Sequence, residues 1–354
     1  MTAPRVLMTG NDAVGEAAIR AGCDSYFGYP ITPQNEITAY MSEHMPAHGR
    51  VFIQAESEVA AINMVYGASV AGKRSMTSSS SPGISLKQEG ISYLAASELP
   101  AVIVNVQRGG PGLGSISPAQ ADYFQATRGG GHGDYHTIVL APSSVQEMFD
   151  LTALAFDLAD RHRTPVIVLS DGRIGQMSEA VTLPAADAAH ASPVAKDWAL
   201  TGAQGRAPRF IRSLLMAEGE LEAHNIHLQE KYRRIAESEV RCEERGTEGC
   251  DVLCVAYGTS ARIVNGCLER AARAGIHAGL LRPITLWPFP IRRVAELAAR
   301  AKGVLAVEMS AGQMVEDVRL AVGGRVPVHL IGRMGGSVPR DAEILDAMER
   351  IHRA

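Results

Sequence analysis

Cysteine is sparse in this 354-residue chain: Cys23, Cys242, Cys250, Cys254 and Cys267 make an odd five with no Cys-x-x-Cys pair. That usage excludes a disulfide scaffold and offers no motif for an iron–sulfur cluster or a structural zinc. Cys250 and Cys254 are close in sequence, but Cys254 lies inside an apolar strand-like run, so all five read as reduced thiols. Long apolar runs are missing as well. No stretch approaches the ~20 residues that a membrane-crossing helix needs, and residues 1–10 show no basic-then-apolar leader. The expectation is therefore a cytoplasmic protein with no membrane partner. Nor does one sign of charge dominate: 34 Lys and Arg stand against 38 Asp and Glu, a formal net charge of −4. Without a basic tract or an aromatic-basic array, nucleic acid is not expected as a partner. What is there, 46% hydrophobic and 20% charged residues, is the composition of an ordinary globular protein with room for about two domains.

From residue 5 to about 175, apolar strand-sized runs alternate with helix-period segments. The predicted strands are "SYFGY" (25–29), "VFIQ" (51–54), "RSMTSS" (74–79), "AVIVNVQ" (101–107), "TIVLA" (137–141) and "PVIVLSD" (165–171). Between them, "SEVAAINMVYGASVAG" places Val59, Ile62, Val65, Ala68 and Val70 at the spacing of a buried helix. Such alternation predicts an α/β fold with a mainly parallel sheet covered on both faces. The rhythm breaks at "VTLPAADAAHASPVAK", which reads as a linker, and then at a charged segment whose Leu221, Ile226, Leu228, Tyr232 and Ile235 form a partial helical stripe. It restarts with "DVLCVAYG" (251–258), "HAGLL" (277–281), "GVLAVE" (303–308) and "VPVHLIG" (326–332), a second, smaller α/β domain. There "RPITLWPFP" and "EMSAGQM" follow predicted strand ends.

Two nucleotide-binding patterns fail on inspection. "GASVAGKR" has the glycines and lysine of a phosphate loop, but Arg74 stands where a Ser or Thr must hold magnesium, and the segment ends a helix instead of opening one. "GGPGLG" (109–114) lacks the Gly-x-Gly-x-x-Gly spacing of a dinucleotide site. His132 and His136 in "GGGHGDYH" have helical spacing for a metal, yet the surrounding glycines predict a loop.

Three side chains remain, each at a predicted strand end. In "FGYPITPQNEI" (27–37), Pro30 and Pro33 bracket Ile31 and Thr32, which predicts Thr32 as a helix N-cap with Pro33 at the first helical position. Its hydroxyl either caps that helix or faces a ligand. Glu58 opens the next helix, where a carboxylate also suits the helix dipole in any fold. Arg108 closes "AVIVNVQ" before a glycine-rich loop, as a surface guanidinium or as an anion ligand. Convergence at one sheet edge favours a site, because open α/β sheets bind ligands at the carboxyl ends of their strands.

At these residues the sequence resembles a known family. "YPITP", "AESEVAA", "SSSSPGISL" and "NVQRGGPG", in this order, are similar to the α subunit of thiamine-diphosphate-dependent 2-oxoacid:ferredoxin oxidoreductases, and the similarity continues through "GGGHGDY", "LAPSSVQEM" and "RPITLWPFP". The resemblance implies a pyrimidine-binding domain over 1–180, a linker with a long charged helix over 181–250, and a transketolase C-terminal-like domain over 251–354. It implies that Glu58 bonds the cofactor's pyrimidine nitrogen, with Glu56 as the substitute if the register shifts, and that Tyr29 and Pro30 border the cofactor. It implies further that Arg108 and Thr32 hold the 2-oxoacid.

The Gly-Asp-Gly sequence that carries the diphosphate and its Mg2+ in such enzymes occurs nowhere here. A β subunit is therefore expected to supply that half, with γ and ferredoxin-like partners carrying the [4Fe-4S] clusters and an external ferredoxin taking the electrons. Coenzyme A is the implied co-substrate. The segment "RGGPGLGSISPAQADYFQATRGGGHGDY" is most similar to types acting on 3-methyl-2-oxobutanoate. A 2-oxoglutarate enzyme is the alternative, and a non-catalytic assembly subunit of the same fold stands behind both.

Overall fold

The computed structural model describes residues 5–184 and 194–354. In chain order its strands are β1 (Arg5–Thr9), β2 (Ser25–Gly28), β3 (Val51–Gln54), β4 (Ser75–Ser79), β5 (Ala101–Gln107), β6 (Ile138–Leu140) and β7 (Pro165–Asp171). They continue with β8 (Ser178–Thr182), β9 (Cys242–Arg245), β10 (Val252–Ala256), β11 (Ala278–Pro283), β12 (Thr285–Trp287), β13 (Gly303–Glu308) and β14 (Val328–Gly332). Seven form a sheet in the order β12-β6-β7-β5-β4-β2-β3, parallel throughout except for β12. Five more form the sheet β14-β13-β10-β11-β9, in which only β9 is antiparallel. The predicted α/β class with mainly parallel sheets is what the chain adopts.

The central strands owe their place to composition. In β5 and β7 every residue is buried, as continuous Val- and Ile-rich runs require when helices cover both faces. β4 is different, because Ser75 to Ser79 are also all buried yet mostly hydroxylic. Partners satisfy much of this strand: Ser25 and Ser75 share a hydrogen bond of 2.8 Å, Tyr26 Oη lies 2.6 Å from Ser78 Oγ, and Lys87 Nζ donates to Thr77 Oγ1 at 2.8 Å.

The strand order makes a switch point. The chain leaves β2 toward β3 on one side and leaves β4 toward β5 on the other. The helices Glu58–Val70 and Ser81–Ala96 accordingly pack together on one face, while Gly10–Arg20 and Asn35–Ala47 pack on the other. The loops leaving the carboxyl ends of β2 and β4 therefore diverge, and ligands bind at such switch points in sheets of this kind.

Several expectations need correction. Val59 is 44% exposed, although Ile62 and Val65 of the same stripe are buried. On the helix Glu220–Ser238, Leu228, Tyr232 and Ile235 are buried while Leu221 and Ile226 are exposed. Val181 and Thr182, read as linker, end β8, which pairs antiparallel with β1; residues 185–193 of that linker lie outside the described residues. The segment "RPITLWPFP" yields β12, which crosses to pair with β6 of the larger sheet, so the second unit donates an edge strand to the first. His132 and His136 lie in a loop, as expected, with His136 stacked on Trp287 at 4.5 Å between centroids.

Arg74 has a structural use. It is 5% exposed, with Nε 2.8 Å from Asp160 and Nη2 2.8 Å from Asp157. Arg74→Ala would remove a guanidinium from the buried Asp160, which also pairs with Lys196 at 2.8 Å. We expect about 3 kcal/mol of destabilisation by denaturant titration, because breaking a buried ion pair strands its partner.

Among the described residues all five cysteines are free thiols, and no group of three His, Cys, Asp or Glu side chains is arranged to hold a metal ion. No described helix is long and apolar enough to cross a membrane.

Candidate functional site

Thr32 is not a helix cap. The helix begins at Asn35 with Gln34 at the N-cap position, and Pro33, joined to Thr32 by a cis peptide bond, precedes it. Two closely spaced prolines favour a tight turn over an immediate helix start, and the Gln34 N–H closes that turn on the Ile31 carbonyl at 3.1 Å. Released from capping, the Thr32 hydroxyl has no hydrogen-bond partner among the described residues. Its carbonyl oxygen accepts from Arg108 Nη1 at 2.9 Å.

Arg108 is not a surface group. It is 9% exposed, follows β5 directly, and forms an isolated antiparallel bridge with Pro118. Nη2 donates to the Leu113 carbonyl at 2.9 Å, while Nε is buried and unpartnered. Of five guanidinium donors, two are thus held by backbone and the others remain available to an anion. Arg108 N–H donates to Ser81 Oγ at 3.0 Å, and that hydroxyl donates to Asp122 at 2.6 Å. Burial pushes the Asp122 carboxyl group up, against hydrogen bonds from Ser81 and Asn105 that pull it down.

Glu58 is the first residue of its helix and only 6% exposed, whereas Glu56 is exposed. Ser57 caps the helix by accepting from Ala60 N–H at 3.1 Å, so the Glu58 carboxyl group is not needed for capping. No described residue gives it a hydrogen bond. It lies instead against Gly83, where a Cβ would stand 2.5 Å from Glu58 Oε1 and 2.1 Å from Ser79 Oγ. Only a residue without a side chain leaves room for that carboxylate. Nearby, the hydroxyls of Ser79 and Ser80 are buried and unpartnered, and Ser80 at the N-cap of Ser81–Ala96 makes no side-chain cap bond. Buried polar groups are nearly always paired, so this cluster of orphans marks a place built for a polar ligand.

The Ser78–Gly83 segment joins the predicted residues. It touches Glu58 through Gly83 and Arg108 through Ser81, and Ser78 Oγ donates to Gln34 Oε1 at 2.5 Å. Gln34 Nε2 in turn donates to the Tyr29 carbonyl at 3.3 Å. Thr32, Arg108 and Glu58 are therefore held on one sheet edge, though Thr32 and Arg108 meet directly and Glu58 only through the serine segment. Pro30 is exposed on the same turn. Reasoning from single strand ends missed Ser79, Ser80, Gln34 and Asp122; the signal available was four serines running straight into Pro82-Gly83.

The second unit closes the site from above. Gln120 accepts from Met309 N–H at 2.9 Å and from Ser260 Oγ at 2.8 Å, and donates to the Tyr257 carbonyl at 2.8 Å. That clamp brings Met309, Ser310 and Gln313 over Arg108, and together with Ala119, Ala121 and Met334 they wall a cavity of about 420 Å³. "EMSAGQM" thus reaches the site, but its helix N-terminus is already occupied: Glu308 accepts from the N–H groups of Gln313, Met314 and Val315 at 3.0 Å each.

Comparison with known proteins agrees with this geometry. Residues 16–245 match the family model described as pyruvate flavodoxin/ferredoxin oxidoreductase, thiamine diphosphate-binding, and residues 250–344 match pyruvate:ferredoxin oxidoreductase core domain II. The ketoisovalerate oxidoreductase subunit VorB of Methanothermobacter thermautotrophicus is 53% identical, over 98% of this chain and 96% of its own length. The 2-oxoglutarate synthase subunit KorA of the same organism is 37% identical, over 97% and 98%. The solved 2-oxoglutarate:ferredoxin oxidoreductase from Magnetococcus marinus, with 2-oxoglutarate, coenzyme A and succinyl-CoA bound, superposes with a TM-score of 0.90 at 28% identity. The alignment covers 98% of this chain and 65% of that one. From matches that span both units, the chain belongs to the thiamine-diphosphate-binding family of pyruvate flavodoxin/ferredoxin oxidoreductases.

Proposed function

We propose that this chain is the α subunit of a multi-subunit enzyme that converts 3-methyl-2-oxobutanoate and coenzyme A to an acyl-CoA, CO2 and a proton, with two electrons passing to ferredoxin. The observation that carries the substrate reading is the lining of the cavity at Arg108. Its charged groups are Arg108 and Asp122, and its walls include Pro82, Pro111, Ala119, Met309 and Met334. One guanidinium suits one carboxylate, and apolar walls suit a branched alkyl group. A dicarboxylic 2-oxoacid would bring a second carboxylate toward Asp122 with no second cation in the lining, which disfavours the 2-oxoglutarate alternative. The orphaned donors argue against a pure assembly role, because scaffolding has no use for buried unpaired groups.

The residues fit thiamine diphosphate on one side: a buried carboxyl group without a partner and a glycine that makes room for it, with Tyr29 and Pro30 on the turn after β2. When bound, the cofactor supplies the thiazolium carbon that adds to the 2-oxo group and takes up the electrons released with CO2. In this reading Glu58 hydrogen-bonds the pyrimidine nitrogen and holds or releases a proton there. Arg108 fixes the substrate carboxylate, and the free Thr32 hydroxyl donates to the carboxylate or the 2-oxo group. We assign the diphosphate and Mg2+ to a β subunit, and the [4Fe-4S] clusters to ferredoxin-like and γ partners. We also keep the division into 1–180, 181–250 and 251–354, and a cytoplasmic setting, as parts of the proposal.

Co-expression with the β subunit and assay against a panel of 2-oxoacids, with coenzyme A and an artificial electron acceptor, tests the reading. We expect kcat/KM for 3-methyl-2-oxobutanoate to exceed that for 2-oxoglutarate by about 10²-fold, the scale of leaving one buried charge unpaired. A reversed ranking would reject the substrate assignment.

A further inference from the structure

Among the described residues, Lys87 is the cationic side chain with 0% exposure, placed inside the core of the larger unit. It sits on the helix Ser81–Ala96 one turn after Gly83, the residue against which Glu58 rests. Its Nζ donates to Thr77 Oγ1 at 2.8 Å and to the Ser78 carbonyl at 3.1 Å, so the ammonium is anchored on the last turn of β4, beside the orphaned hydroxyl of Ser79. A buried ammonium is costly unless something nearby rewards its charge. Its own helix and β4 place no carboxylate against it. Glu58, from the neighbouring helix, is the charged group that acts on it. Tyr26 reaches the same strand through Ser78, and Asp122 is bound away from it by Ser81 and Asn105.

We propose that Lys87 is a positioning residue for Glu58: its ammonium, anchored on Thr77 and Ser78 one helical turn beyond Gly83, places a fixed positive charge behind the carboxyl group that meets a bound pyrimidine nitrogen. The inference deepens the reading of Glu58 given above and rests on it. Burial pulls the Lys87 ammonium down to about 7 while the attraction of Glu58 pulls it up, so the cation is lost as pH rises through neutrality. Above that point the amino group facing the Glu58 side of the helix is neutral and its charge no longer acts there. The effect of Lys87 on Glu58 is therefore largest below about pH 7.

The test uses the assembled complex and reads thiazolium proton exchange between pH 6 and 8.5 in wild type, Lys87→Met and Glu58→Gln. Methionine keeps most of the volume and removes the charge. We expect exchange in wild type to exceed that in Lys87→Met by about tenfold at pH 6, the size of a one-unit coupling, with the ratio falling toward one by pH 8.5. A ratio that stays constant with pH means a packing role only and overturns the inference. If Lys87→Met does not assemble, the thiamine diphosphate affinity of wild type relative to Glu58→Gln serves instead. We expect that ratio to fall through neutrality, and a flat ratio overturns the inference. Exchange unchanged in Glu58→Gln would sink the reading of Glu58 itself, whereas slowed exchange in Glu58→Gln with a flat Lys87 ratio removes this inference alone.

Discussion

Glu58→Gln in the assembled complex is expected to slow thiazolium proton exchange by about 10²–10⁴-fold, the usual span for losing a positioned acid–base group. Glutamine keeps the shape, so it fits against Gly83 as the carboxyl group does. It cannot take or return a proton, and that function alone is removed. The helix should survive, because Ser57 caps it through Ala60 and the side chain of Glu58 is not part of that bond. Complex assembly and thermal midpoint are therefore expected to change little, which separates a chemical loss from a folding loss. Glu56→Gln is the control: Glu56 is exposed two residues away and should leave exchange within about twofold of wild type. Exchange unchanged in Glu58→Gln, or slowed equally in both variants, would remove Glu58 from the proposed role.

The sequence was informative where one physical demand acted alone. Continuous apolar runs such as β5 and β7 are buried on both faces, and their bounds could be read directly from composition. It was less informative where two demands competed at one residue. Thr32 before Pro33 has the chemistry of an N-cap, but the turn closed by Gln34 delays the helix to Asn35. β12 was hidden among prolines, because a three-residue edge strand makes no periodic pattern and its partner β6 is distant in sequence. Of the site, the three singled-out side chains do lie on one sheet edge. The serine segment between them was invisible as chemistry, since a hydroxyl's role depends on which partner it lacks, and that is a property of packing. Lys87 belongs to the same class: a lysine in a helix reads as solvated until the neighbouring strand is found against it.

Arg108→Ala is expected to lower kcat/KM for the 2-oxoacid by roughly 10²–10³-fold, about 3–4 kcal/mol, while thiamine diphosphate affinity stays within about twofold. The magnitude follows from burial. At 9% exposure the guanidinium meets a carboxylate with little competing water, and its unpartnered Nε is one of the donors left for that contact. The loss should fall mainly on KM if the carboxylate is held equally in ground and transition states, and on kcat as well if the contact aligns the 2-oxo carbon for attack. Arg108→Lys distinguishes charge from geometry. Arginine gives two donors to the carbonyl groups of Thr32 and Leu113 and keeps others free, whereas an ammonium that replaced both bonds would have a single donor remaining. Lysine should thus recover about tenfold and no more, because a planar two-point contact is lost even when the charge is kept. Full recovery by lysine would mean that Arg108 acts only as a point charge. Loss of cofactor affinity in step with kcat/KM would place Arg108 at the cofactor and not at the substrate, and the cavity beside it would then need another anchor for the 2-oxoacid carboxylate.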